Sequence, residues 1–185
     1  MWSQRSNFDN RRLVIVDTPG FFDAELGPEI IIPEISSSHQ IAAPGSDPFL
    51  VVLIFARFTP QEAAAAKWIS EVLDERALDY CIIVFAGLDG LKRDKTTVEE
   101  FLQDAPTFVQ NLIEKCKGRY IDVDNTVSDV EKEETIMVLL DKISTMIQKN
   151  GGQFYNNKKF IQIAAILDKY SGWFVPLKPD GTVNL

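Results

Sequence analysis

Residues 12–20 read Arg-Leu-Val-Ile-Val-Asp-Thr-Pro-Gly, an apolar run that stops on a carboxylate and then turns. The β-favouring residues Leu13 to Val16 between polar flanks predict a buried strand, and Asp17-Thr18-Pro19-Gly20 is turn chemistry at its carboxyl end. In open α/β sheets ligands bind in the crevice beyond that end. Asp17 there can hold a hydrated Mg²⁺ through water, Thr18 adds a hydroxyl, and Gly20 lets a backbone N–H approach a terminal phosphate. Asp-x-x-Gly is also a plain surface turn, so the motif gains meaning only from the rest of the chain.

That rest alternates between strands and helices. Residues 1–11 suit a short edge strand ending in a turn around residues 7–10. Residues 21–33 mix Gly27, Pro28 and Pro33 with apolar side chains and suit a loop, after which a helix is predicted over 33–42. The turn at Pro44-Gly45-Ser46-Asp47-Pro48 leads into 49–56, apolar throughout, as expected for a parallel strand covered on both faces. Thr59, Pro60 and Glu62 form a helix start with a capping box, followed by a buried stripe of Ala65, Trp68, Ile69, Val72 and Leu73. Residues 80–85 predict the next buried strand, ending in the loop Ala86-Gly87-Leu88-Asp89-Gly90-Leu91. A helical region over 97–117, broken near Pro106, precedes a short strand over 120–123 that ends at Asp124-Asn125. An amphipathic helix over 131–149 carries Ile136, Leu139, Leu140, Ile143 and Ile147 on one side, with Asn150-Gly151-Gly152 as its stop. A further helical segment over 160–170 and a Pro- and Gly-bearing tail close the chain. Strand–helix alternation of this kind means an α/β fold, a parallel sheet with helices on both faces.

Composition narrows the function classes. At 185 residues, 45% hydrophobic and 25% charged, the chain can bury one sizeable core. With 19 Lys+Arg against 27 Asp+Glu the net charge is −8, and no basic stripe is present for nucleic acid or an anionic membrane. Two cysteines, Cys81 in a strand-like run and Cys116 in a helical pattern, imply neither a disulfide framework nor a metal cluster, and suit a reducing compartment. The lone His39 reads as a surface or packing residue. The strongest apolar run, 49–56, is too short to span a bilayer.

Several stretches together resemble the AIG-type immunity-associated GTPases (avirulence-induced gene type), relatives of septins and chloroplast import GTPases. They are residues 14–23 (Val-Ile-Val-Asp-Thr-Pro-Gly-Phe-Phe-Asp), Ala43-Pro44-Gly45 ahead of the next strand, Ala56-Arg57-Phe58-Thr59 with Glu62, and Lys149-Asn150-Gly151-Gly152. The resemblance implies a Ras-like P-loop GTPase fold, with GTP and Mg²⁺ as cofactors and guanine nucleotide as partner. It also implies self-association through the nucleotide face and a cytoplasmic location, with some members peripheral to internal membranes. On this reading residues 1–152 are a partial G domain, truncated at its amino-terminal side, and residues 153–185 a carboxy-terminal helix and tail. Asp17, Thr18, Pro19 and Gly20 become the nucleotide and Mg²⁺ residues, with Asp17 acting on the metal through water. Leu88, Asp89 and Asn125 fall in the guanine-reading boxes.

The departures are specific. No G-x-x-x-x-G-K-[ST] phosphate loop, and no Gly-Lys pair, occurs in these 185 residues, and the box that places a threonine on Mg²⁺ is absent. A phosphate loop supplies several charge-assisted hydrogen bonds of roughly 1.5–3 kcal/mol each, and each ~1.4 kcal/mol is tenfold in affinity. The chain as given is therefore expected to bind nucleotide poorly, as a fragment of a longer protein. In the first guanine box the pairing carboxylate aligns with Gly90 and the stacking Lys with Leu88, leaving Asp89 one residue out of register. Asn125 keeps an amide that can meet the base. Phe21 stands where Ras-like enzymes carry the water-orienting Gln; an apolar ring cannot orient water, so hydrolysis by that route is not available and no catalytic residue is assigned. The competing reading is a nucleotide-free protein-interaction module built on a degenerate G domain.

Overall fold

The computed structural model describes residues 2–9, 11–17, 48–55, 75–152 and 155. They fall into two compact units, one holding the first two strands and the other running from Pro48 to Tyr155. The predicted helices over 33–42, from Thr59 onward and over 160–170 lie outside the described residues, as do residues 18–47.

In the first unit β1 (Trp2–Phe8) and β2 (Arg11–Asp17) form an antiparallel hairpin, in register from Trp2 opposite Asp17 to Phe8 opposite Arg11. The turn passes through Asp9 at φ 47°, a left-handed conformation that Asp tolerates better than most residues. β2 is not the buried strand that its composition predicts: none of its residues is fully buried, and Ile15 is 53% exposed. An apolar run specifies a strand but does not specify what covers each face.

The second unit is built on a parallel sheet of β3 (Phe49–Ile54), β4 (Cys81–Ala86) and β5 (Tyr120–Val123), in that order. A 3₁₀ turn, Glu75–Tyr80, feeds β4, and four helices follow: α1 (Leu88–Asp94), α2 (Val98–Gln103), α3 (Thr107–Lys115) and α4 (Asp129–Lys149). Pro106 stands at the amino-terminal boundary of α3, where its fixed φ and missing N–H do no harm, which explains the break near that residue. Capping boxes start α2 and α4. The Thr97 hydroxyl accepts from the Glu100 amide while Glu100 accepts from the Thr97 N–H, and Ser128 and Glu131 repeat the arrangement.

The two sheet faces are covered unequally. On one face Phe55 stacks on Phe85 and meets Phe101 of α2 edge-on, with Leu53, Ile83 and Phe85 buried. On the other, Met146 of α4 packs with Ile82 and Ile121, flanked by Val84, Leu139 and Ile143. Helices therefore lie on both faces, as the alternation predicts. The cover does not extend over β3: Leu50, Val52 and Ile54 are 43%, 63% and 56% exposed. Double-sided burial of β3 is thus corrected to burial of one face. Its outer edge has no strand partner among the described residues. The Phe55 N–H bonds the Ala86 carbonyl, so by alternation the backbone groups of Leu50, Val52 and Ile54 point to that open edge.

The loop predicted after β4 is a helix. Gly87 adopts φ 86°, ψ 29° and turns the chain straight from β4 into α1. Only a residue without a Cβ takes that conformation cheaply.

Candidate functional site

The sequence-selected residues fall in both units, at strand carboxyl ends. Asp17 is the last residue of β2 and is exposed. Thr18, Pro19 and Gly20 lie outside the described residues. An exposed carboxylate at a strand end leaves room for a hydrated cation, and Mg²⁺ takes only one or two protein carboxylates, the rest of its shell being water and substrate phosphate. The residue present therefore fits that ion. Among the described residues no group of three metal-ligating side chains converges, so no closed metal centre is built there.

The second locus lies beyond the carboxyl ends of β4 and β5. Leu88 and Asp89 open α1, and the Gly90 N–H bonds the Gly87 carbonyl to close its first turn. Asp89 is half turned to solvent and pairs with Arg93 one helical turn on, at 3.2 Å. Gly90 is helical with open space beside it. A Cβ there would meet the Arg93 guanidinium at 3.9 Å and the Phe55 carbonyl at 4.0 Å, both ordinary contacts. The shortage of a carboxylate at Gly90 is thus chemical and not steric.

Asp124 directly follows β5, and its side chain is 6% exposed. Its Oδ2 accepts from the Lys92 ammonium at 2.7 Å, and its Oδ1 accepts from both the amide (2.9 Å) and the hydroxyl (2.6 Å) of Thr126. The Lys92 hydrogen bond foremost, then those from Thr126, hold the Asp124 carboxyl down at about 2 against an ordinary 3.8. Reciprocally, Asp124 pushes the Lys92 pKa up, with Glu131 and Asp122 adding to it. Asn125, between Asp124 and Thr126, is exposed. Leu88, Lys92, Asp122, Asp124 and Glu131 line an open recess of about 300 Å³ between α1 and α4.

The structure therefore brings Leu88, Asp89 and Asn125 to one end of one sheet. It adds Lys92 and Asp124, which sequence reasoning missed as a pair. They stand 32 residues apart, and no local pattern in the sequence links them. The Ser128-x-x-Glu131 capping box fixes where α4 begins and hence how long the Asp124 to Val127 turn can be, and that signal was present in the sequence.

The sequence profile of the AIG1 family matches residues 2–171. The chain belongs to the AIG1 family. Its α/β sheet with helices on both faces is the corresponding part of a P-loop GTPase fold. Among curated proteins of Arabidopsis thaliana, it is 29% identical over 151 residues to immune-associated nucleotide-binding protein 9, a match covering 80% of this chain and 44% of that protein. Immune-associated nucleotide-binding protein 7 is 29% identical over 158 residues, covering 84% of this chain and 51% of the relative. Immune-associated nucleotide-binding protein 1 is 29% identical over 160 residues, covering 85% and 71%. The chain thus spans about half the length of the first two relatives. No helix among the described residues is long and apolar enough to cross a membrane.

Proposed function

We propose that this chain is a guanine-nucleotide-binding domain of the AIG1 type, in which the segments after β4 and β5 read the base and Asp17 serves Mg²⁺ through water. The observation that carries the reading is the convergence of Leu88, Asp89 and Asn125 beyond the carboxyl ends of adjacent parallel strands, in a chain of this family. When bound, Mg²⁺ would neutralise charge on the terminal phosphates. Thr18, Pro19 and Gly20 are assigned beside Asp17 on the motif. GTP is the nucleotide implied, and self-association through the nucleotide face and a cytoplasmic or membrane-peripheral location complete the proposal.

These 185 residues contain no phosphate loop, so their affinity for GTP should be low whatever the base-reading segments contribute. We take them to be part of a longer protein, in keeping with the greater length of the relatives and the open edge of β3. Titration calorimetry tests this: the chain as given should show no saturable GTP binding up to millimolar nucleotide, and micromolar affinity would refute the argument from the phosphate loop. A second reading, a nucleotide-free interaction module, is favoured by the apolar strip Leu50, Val52 and Ile54, which a partner protein could cover.

A further inference from the structure

Asp124 and Lys92 belong to different segments of the proposed base site, and neither is hydrogen-bonded to the Asn125 side chain, the amide assigned to the base. The connection is geometric. Both oxygens of Asp124 are occupied, one by Lys92 and the other by the amide and hydroxyl of Thr126. The Oδ1 bonds close a turn over Asn125, so the course of the backbone at Asn125 is set by where the Asp124 carboxylate sits. That carboxylate is held in place from α1 by Lys92.

The charges around it make the cation necessary. Asp122, Asp124, Glu131 and Glu134 all line the recess, and Lys92 is the only cation among the described residues lining it. Glu131 is itself committed to Ser128, accepting from its hydroxyl at 2.6 Å and its amide at 3.1 Å, so it cannot take up a proton to relieve the repulsion without losing the cap. Removing the ammonium leaves four carboxylates around one recess with no cation among the described residues lining it, and the Asp124 turn loses the bond that ties it to α1. Lys92 is mostly exposed, so the pair's worth lies in fixing position more than in stability.

We infer that Lys92 is a positioning residue for base recognition: reaching from α1 to Asp124, it fixes the turn that presents Asn125 and so couples the two base-reading segments. This rests on the base-site assignment above, and the test separates the two. Guanosine and adenosine at millimolar concentration are the probes, and NMR on the full 185-residue chain reads the fractional, non-saturating occupancy expected of a base site without a phosphate loop. The signals are the Asn125 side-chain amide, amide exchange at Asn125 and Thr126, and the carboxyl titration of Asp124. Lys92→Met should accelerate amide exchange at Thr126 by roughly three- to tenfold, in the lower part of the range that couplings between contacting residues span, as suits a largely exposed lysine. It should also raise the Asp124 titration midpoint toward 3.8 and reduce the guanosine response by a similar factor. Lys92→Arg should restore all three, while Lys115→Met, on α3 and outside that recess, should change none. Unchanged exchange and an unchanged guanosine response in Lys92→Met overturn the positioning role, as does failure of Lys92→Arg to restore them. If the exchange effects appear but guanosine and adenosine shift Asn125 equally, the coupling of the segments stands and the base-site assignment falls.

Discussion

β3 and β4 are almost the same strand on paper. Each is six residues long and free of charge, and they pair in parallel from Phe49 opposite Cys81 to Ile54 opposite Ala86. Their fates differ. β4 has a strand on each side and helices over both faces, so Cys81, Ile82, Ile83 and Phe85 are fully buried. β3 has one strand neighbour among the described residues, and the cluster of Met146 with Ile82 and Ile121 does not include it, so Leu50, Val52 and Ile54 lie in the open. Composition thus determines that both are strands, while the number of neighbours determines what each residue contributes. The energetic consequence is that equal side chains one strand apart should differ severalfold in their contribution to stability.

The largest expected effect tests that contrast directly. Ile83→Ala should destabilise the fold by about 2–5 kcal/mol, because it empties a fully buried site between β3 and β5. Urea unfolding followed by far-UV circular dichroism measures it. A loss under about 1 kcal/mol would mean that β4 is not the centre of the core.

A smaller effect is expected where the two strands meet α1. Gly87→Ala places a Cβ 3.5 Å from the Ile54 side chain, which is ordinary contact, so the cost comes from the backbone at φ 86° and not from crowding. A left-handed non-glycine residue costs roughly 1–2 kcal/mol. The same urea series reads it, and a neutral result would show that α1 does not start at this turn in solution.

That turn also marks what the sequence could and could not disclose. Strands β4 and β5, the break at Pro106 and the body of α4 were legible because each is a local signal: an apolar run, a residue lacking an N–H, a 3.6-residue period. α1 was not. Ala86-Gly87-Leu88-Asp89-Gly90 carries two glycines and reads as loop, yet Gly87 supplies the left-handed turn and Gly90 is simply a helical residue. At the candidate site, Leu88, Asp89 and Asn125 were found through motif position. Lys92 and Asp124 are joined only by the tertiary fold, and no spacing rule links residues on a helix and a strand end 32 apart.

The acid limb of stability offers a sharper distinction, since the charged network belongs to the β4–β5 side alone among the described residues near the sheet ends. The Asp124 carboxyl is depressed on folding, so its ionised form favours the folded state at every pH above its ordinary 3.8, and that contribution is lost as pH falls toward about 2. The groups facing it are Lys92, which stays charged throughout this range, the Thr126 hydroxyl and amide, and Glu131, which is depressed by Ser128 and titrates with the same sign. Asp124→Asn removes one titration and leaves the other. The stability gap between wild type and Asp124→Asn should therefore be constant from pH 7 to about 5 and close steadily between about 4 and 2. Urea midpoints at stepped pH follow it, and a gap independent of pH would show that Asp124 is not ionised against Lys92 in the folded state.

The smallest effect is expected on β3. Val52 projects from the uncovered face and is the most exposed residue of the strand's apolar strip, so Val52→Thr exchanges a methyl for a hydroxyl that water can reach. Such a substitution should alter the unfolding free energy by no more than about 0.5 kcal/mol. Its visible consequence should be in association, because an unpaired edge bearing an apolar face invites strand pairing between molecules, and a hydroxyl at its middle weakens the hydrophobic part of that contact. Sedimentation velocity across a concentration series would then show less self-association than wild type at an unchanged urea midpoint. Should Val52→Thr instead cost more than about 1 kcal/mol, a value that only burial produces, the face of β3 is covered in solution and the contrast between the two strands lies in their edges alone.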